Sequence, residues 1–404
     1  MKKLLFVLLS CCTVCLQAQD VNQWRGDRTG IYRETGLLKS WDADGPGLLW
    51  HFDGLGEGFT SVAISGDKIY VTGLTGEKGY LYMLDMSGNL LNKKGYGPEW
   101  NKNHNGSRST VTICDGKLYI VSGMGNVICL NEQTLAVVWQ KDFLKEFDGR
   151  NIMWGLTESP LIVDDKIFIT PAGETHNIVA LNKDNGQLIW SSKGEGAVST
   201  YCSPIFLNDQ QVPQLVTMTA THILGINVKT GEKIWSYPYE NSRKIHPNSP
   251  AYSDNMLLFT SGYGKGSLML RLTNGGRHVE KVWESGDLET RHGGVIKIGN
   301  YVYGSGDQKK FWYCLDWNTG KTAFADKSFG IGVTIAADGM LYCYSEKGEM
   351  ALVRPNPEKF ELISKFPVSL GDGPHWAHPV IYKGVMYVRH GNTLMAYDVK
   401  GNTP

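Results

Sequence analysis

The sequence is short of charge, of long apolar runs and of cysteines that could pair. Only 20% of its 404 residues are charged, and 40 acidic side chains cancel 40 basic ones. A chain without net charge has no global field to draw it to nucleic acid or an anionic membrane. Past residue 18, no stretch approaches the roughly 20 apolar residues that a membrane-spanning helix needs. Eight cysteines are present, but Cys11, Cys12 and Cys15 lie in the first 18 residues, leaving an odd five that cannot all form disulfides. No Asp, Glu and Asn grouping has the spacing of a calcium loop, and no set of metal ligands stands out.

Glycine (48) and tyrosine (19) are plentiful, and 42% of the chain is hydrophobic. That mixture suits many short strands joined by tight turns. Residues 1–18 read as an export signal. Lys2 and Lys3 precede an apolar stretch from Leu4 to about Leu16, and Ala18 offers a cleavage point. Leu8-Leu9-Ser10 before Cys11 leaves lipid attachment open. The expected location is periplasmic or extracellular, soluble or peripherally tethered to a membrane by lipid. Residues 19–47 form a lead-in, and Arg25-Gly26-Asp27 within it reads as a chain-entry turn beside Trp24 rather than an adhesion tripeptide.

From residue 48 onward one phrase recurs. "ALNKDNGQLIW" (180–190) has relatives at 129–139, 225–235 and 314–324. Upstream of each lies a second phrase, such as "TVTICDGKLYIV" (110–121) or "VTIAADGMLYCY" (333–344). Together they spell four strands with three tight turns, an antiparallel meander. The first turns fall at residues 66, 115, 164, 209, 254, 299, 338 and 383, in steps of 39 to 49. Eight four-stranded units at this period predict an all-β fold, an eight-bladed β-propeller. The eighth unit ends after its third strand, while "LLWHFDG" (48–54) is a fourth strand with none before it. The N-terminal strand should therefore close the ring and remove an open edge. The recurring tryptophans, Trp50, Trp139, Trp190, Trp235 and Trp283, should pack between blades. Phe324 and Ile363 are expected to stand in for two more, and Asn92 breaks the pattern in blade 1. Cys129, Cys314 and Cys343 read as small core residues.

The phrase small-x-Asp/Asn-x-x-Thr/Asn-Gly-x-x-x-Trp resembles the tryptophan-docking motif of the pyrroloquinoline-quinone (PQQ)-like propeller family, over residues 48–399. The Gly-His…Trp-Asp pattern of WD repeats is absent. The resemblance implies one of two occupations. Some members are quinoprotein dehydrogenases of alcohols or sugars, which use PQQ with calcium. Others bind no cofactor and act as scaffolds, as does the B subunit of the outer-membrane β-barrel assembly machinery. Dehydrogenases of the family often carry an adjacent Cys-Cys pair; here the one such pair, Cys11-Cys12, lies in the signal. They are also longer.

The segments joining one blade's outer strand to the next blade's inner strand emerge together around the axis. They hold five of the ten histidines: His104, His246, His292, His375 and His378. Aligned on the repeat, they bring Arg108, Glu158, Tyr201, His246, Asn248, Arg291, His292, Trp376 and His378 to one central mouth. Two arginines with aromatic neighbours suit a planar carboxylate. Arg108 on blade 2 and Arg291 on blade 6 should face each other as opposed cations. Cys202 is the mature cysteine outside an apolar repeat position, hence the expected reactive thiol. No residue is singled out as catalytic. The expected function is a ligand-binding or protein-scaffolding propeller, with a small anionic ligand or a partner protein at the mouth. A PQQ-dependent dehydrogenase is the alternative, and a polysaccharide-acting propeller enzyme a third.

Overall fold

Each repeat folds as four short antiparallel strands because its turns carry residues that accept positive φ. Asp115-Gly116 (48° and 69°), Asp338-Gly339 (47° and 72°) and Asp254-Asn255 (53° and 62°) make the tight first turns of three meanders. The computed structural model describes residues 20–401; the expected export signal, with Cys11, falls outside the described residues. It contains eight sheets, seven of four strands and one of five. Numbered along the chain, the blades span residues 63–98, 112–142, 161–192, 205–238, 251–285, 295–326, 332–367 and 380–398. Together they form an eight-bladed β-propeller.

The ring closes as the sequence implies. Strand Leu48–Asp53 runs antiparallel to Thr393–Asp398 and becomes the outer strand of blade 8, with Trp50 opposite Ala396. Arg389 staples the junction. Its buried guanidinium donates to Thr72 O and Thr60 Oγ1 of blade 1, both at 2.5 Å.

The geometry between blades accounts for the recurring phrase. The indole of Trp190 in blade 3 lies on Gly231, in the Thr-Gly turn of blade 4, and its Nε1 donates to Val228 O at 3.0 Å. A Cβ at Gly231 would stand 2.6 Å from that ring, and its φ is +76°. Only glycine meets both demands. The arrangement repeats at Trp50 on Gly88 with Met86 O, Trp139 on Gly186 with Lys183 O, and Trp283 on Gly320 with Trp317 O. The tryptophan of one blade and the glycine of the next are thus one unit.

Departures come in matched pairs. Blade 2 has Leu135 (φ +55°), buried, where other turns have glycine, and the facing position in blade 1 is exposed Asn92. Blade 5 turns through Asn274–Gly276, and there Trp235 donates to Gln214 Oε1 instead. Ile363 does not stand in for a tryptophan. It falls at the bulge of the outer strand, and Ser364 takes the paired position. The longer turn through Pro355-Asn356-Pro357 shifts the register. Trp41 of the lead-in packs there against Tyr342 and Phe366, its backbone N donating to Ser364 Oγ.

Around the channel, hydroxyls tie neighbouring blades together. Ser61 N donates to Thr110 Oγ1 (3.2 Å), Thr110 N to Ser159 Oγ (3.0 Å) and Ser159 N to Ser203 Oγ (2.9 Å).

The lead-in does more than enter the ring; it forms a hub inside it. Val21 bridges Ile64 of blade 1, and Asn22 O accepts from Ile113 N of blade 2. Arg28 reaches Pro160 O (2.7 Å) beside blade 3 and Pro204 O (2.9 Å) beside blade 4. Arg25 reaches Val295 O (3.1 Å) of blade 6 and Thr334 O (2.9 Å) of blade 7. Residues Ile31–Tyr32 then run parallel to Gly332–Ala337 as the fifth strand of that sheet. Arg25 of the Arg-Gly-Asp tripeptide is only 2% exposed, so it is a hub residue.

Candidate functional site

In an antiparallel meander, the segments between blades and the turns joining second to third strands share one face. They surround a cavity of about 290 Å³. Six of the nine residues placed at the mouth from sequence line it: Arg108, Tyr201, Arg291, His292, Trp376 and His378. Glu158, His246 and Asn248 do not. They are buried in the wall, where Asn248 donates to Thr290 O (2.7 Å) and His246 Nδ1 lies 2.8 Å from Ser261 Oγ. Trp24 of the hub forms part of the lining, with Phe59, His104, Trp154 and Tyr263. The hub's other side borders a second hollow, so the channel is blocked midway and the mouth is a cup.

The two arginines differ in state. Arg291 is matched to carboxylates, with Nη2 3.1 Å from Glu346 Oε1 and Nε 3.7 Å from Asp307 Oδ1. The expected pair of opposed bare cations is therefore not present. Arg108 lies over Phe59, 5.5 Å from the ring centre, and donates through Nη2 to the carbonyls of Asn103 and His104. Its buried Nε has no partner. Burial lowers its pKa to about 10, which leaves it charged at neutral pH.

His378 and His292 are held neutral. His378 Nδ1 accepts from Arg25 Nη1 at 2.9 Å, which leaves its proton on Nε2, donated to His292 O at 3.1 Å. Burial, then the Arg25 charge, pushes its pKa well below the usual range. Burial lowers His292 to about 4 despite Glu346, 3.2 Å away. Tyr201 is buried, and its Oη accepts from Trp154 N at 3.2 Å. Cys202 is 3% exposed and outside the cavity lining, and burial pushes its thiol up to about 12; it is not a reactive thiol.

Glu158 supplies a measurable consequence. Burial raises its pKa to about 8, one oxygen accepting from Thr170 N and the other unpartnered. Folded Glu158 keeps its proton where the unfolded chain, at about 4.5, has lost it. Its protonation therefore favours the fold at low pH, and that contribution is lost as pH rises through 8. Buried Glu99, raised to about 7, acts in the same direction. His246 and His292, lowered to about 4, act oppositely between pH 4 and 6.5. Between pH 7 and 8.5 the melting temperature should fall, and Glu158→Gln should flatten that fall. An unchanged slope in the variant would show that the carboxyl is ionised in the fold.

Comparison with known proteins bears on the fold first. A family model described as "Outer membrane protein assembly factor BamB" matches residues 77–326. The chain belongs to the PQQ-like propeller family that includes BamB. BamB of Shewanella oneidensis is 27% identical over 188 residues, 44% of this chain and 44% of that protein. The quinoprotein alcohol dehydrogenase PedH of Pseudomonas putida is 26% identical over 184 residues, 42% of this chain and 30% of that enzyme. These matches span less than half the length of either relative. Among solved structures, BamB from Moraxella catarrhalis superposes with a TM-score of 0.62 at 14% identity, covering 87% of this chain and 99% of that one. The quinohemoprotein alcohol dehydrogenase from Comamonas testosteroni gives 0.66 at 13%, covering 95% and 81%. At such identities the likeness is one of fold, and function rests on the site.

The cup's residues do not fit PQQ with calcium. A tricarboxylate would meet one guanidinium, that of Arg108, not already paired with a carboxylate. Among the described residues no three His, Cys, Asp or Glu side chains gather as metal ligands, against the six to eight oxygens calcium takes.

Proposed function

We propose that this chain is an exported binding propeller whose cup holds a small anion. One observation carries the reading: of the two arginines that line the cup, Arg291 is paired with carboxylates and Arg108, among the described residues, with none. His378 is fixed by Arg25, Arg291 and His292 face Glu346, and Tyr201 is bonded to Trp154. A guanidinium without a carboxylate partner in an aromatic cup is a recognition element for an anion. The export signal expected from residues 1–18 and a relative named for outer-membrane protein assembly support an envelope location. No described helix is long and apolar enough to cross a membrane.

Calorimetry with a panel of carboxylates, phosphate and PQQ is the test. Wild type should bind at least one anion, and Arg108→Ala should weaken that binding by roughly 10- to 100-fold, the worth of a charged hydrogen bond. Turnover of alcohols or sugars with PQQ would replace this reading by a dehydrogenase.

A second reading, a protein scaffold, has an observation of its own. Four consecutive blades (8, 1, 2 and 3) open their outer strands with exposed apolar pairs: Leu48-Leu49, Leu90-Leu91, Val137-Val138 and Leu188-Ile189. Charged substitutions at Leu91 and Val138 would abolish partner binding on this side and leave anion binding at the cup intact.

A further inference from the structure

The cup's tryptophans differ from those between the blades. Trp50, Trp139, Trp190 and Trp283 each donate their indole N–H to a carbonyl of the next blade. Trp24, Trp154 and Trp376, half-buried at the cup, have no indole acceptor among the described residues. Their three N–H groups are left for a guest, while the rings also meet neighbours: Trp24 lies 5.4 Å from His378 and Trp376 5.5 Å from His292, between ring centres. Trp376 is backed by Phe59 (5.0 Å between ring centres) and His104 (5.2 Å), and Trp154 leans on Tyr201 (6.0 Å).

The hydroxyls of the cup are half-used. Ser159 Oγ and Ser203 Oγ accept from backbone N–H groups of the blade ring, so their own protons remain to be donated. Thr157 Oγ1 donates to Tyr201 O at 3.1 Å, which leaves its lone pairs open. Donors, acceptors and apolar plates thus share one small space with Arg108, which has no carboxylate partner among the described residues. The cup's volume of about 290 Å³ has room for a ring-sized guest. With Trp24 closing the bottom, a polymer cannot thread through; it can enter only by an end.

We propose that the cup takes a single acidic sugar ring, a hexuronate or the uronate end of an oligosaccharide, with its carboxylate on Arg108 and its C–H faces against the indoles. The assignment rests on the anion-binding reading above and narrows it. A sugar presents apolar faces together with hydroxyls that both donate and accept, matching each open group. An aryl carboxylate or a fatty acid would satisfy Arg108 but strand the indole N–H groups and serine hydroxyls, and a stranded polar group costs affinity. A neutral sugar would leave Arg108 unpaired.

The test is calorimetry on the full exported chain with glucuronate, galacturonate, glucose, galactose and benzoate, with melts confirming that each variant is folded. Uronates should bind roughly 10- to 100-fold more tightly than the matching neutral hexoses. Arg108→Gln should erase that preference, and Trp376→Ala should weaken every sugar. Trp154→Phe, which keeps a ring but removes the N–H, should weaken sugars and leave benzoate unaffected. Benzoate binding through Arg108 with no uronate binding would overturn the sugar assignment and leave the anion cup standing. No binding by any of these ligands overturns the sugar assignment; if the wider anion panel also fails, the anion-cup reading falls with it.

Discussion

A chain shortened to begin at Leu55 is expected to lose its cooperative unfolding transition and to elute as aggregate. The shortening removes both the closing strand and the hub. Without Leu48–Asp53, the strand Thr393–Asp398 becomes an open edge, and Leu394, Met395 and Ala396, all fully buried, lose their cover. An exposed apolar edge strand is a template for pairing with another chain. Without the hub, carbonyls of Pro204, Val295 and Thr334 lose their guanidinium donors, while Pro160 O keeps Thr112 Oγ1. At about 1–3 kcal/mol for each stranded acceptor, that loss alone approaches the roughly 5–15 kcal/mol that holds a domain folded. Water entering the emptied channel would repair part of it. A chain beginning at residue 38, which keeps the closing strand, should therefore remain folded and monomeric with a lower melting temperature. A sharp, unchanged melt of the shorter chain would show that strand and hub to be dispensable.

The ring was legible because it is periodic. Eight similar first turns and five aligned tryptophans specify blades, order and closure without any knowledge of contacts, and the missing strand at one end matched the spare strand at the other. The hub was not legible, for a physical reason. Arg25 and Arg28 bind backbone carbonyls, and a carbonyl carries no residue identity for a pattern to reveal. At the site, aligning the segments between blades found Arg108, Arg291, His292 and Trp376. It overlooked Glu346, Asp307 and Tyr263, which sit on turns between second and third strands. Those turns open on the same face by the alternation of an antiparallel meander, so the same alignment applied to them would have found the carboxylates beside Arg291. Glu158, His246 and Asn248 were misplaced by a small error of register, which in a strand exchanges channel for wall.

Trp190→Ala should cost roughly 3–5 kcal/mol, the range for emptying a buried aromatic site. The ring is 8% exposed, packs against Phe168 (5.6 Å between centres) and closes the gap between blades 3 and 4. Removing it also leaves Val228 O without its donor. Asn92, exposed at the matching position of blade 1, should tolerate alanine within about 0.5 kcal/mol. Gly231 supplies the decisive control. Gly231→Ala in the wild type carries two costs: roughly 1–2 kcal/mol for a Cβ at positive φ, and roughly 1–3 kcal/mol more for driving it into the indole 2.6 Å away. In the Trp190→Ala background the indole is gone and only the first cost remains. The double variant should therefore be more stable than the sum of the single losses by about 1–3 kcal/mol, a coupling that denaturant melts can resolve. Strict additivity would mean that tryptophan and glycine act separately, and the recurring phrase would then need another explanation than the seating of one blade's ring on the next blade's turn.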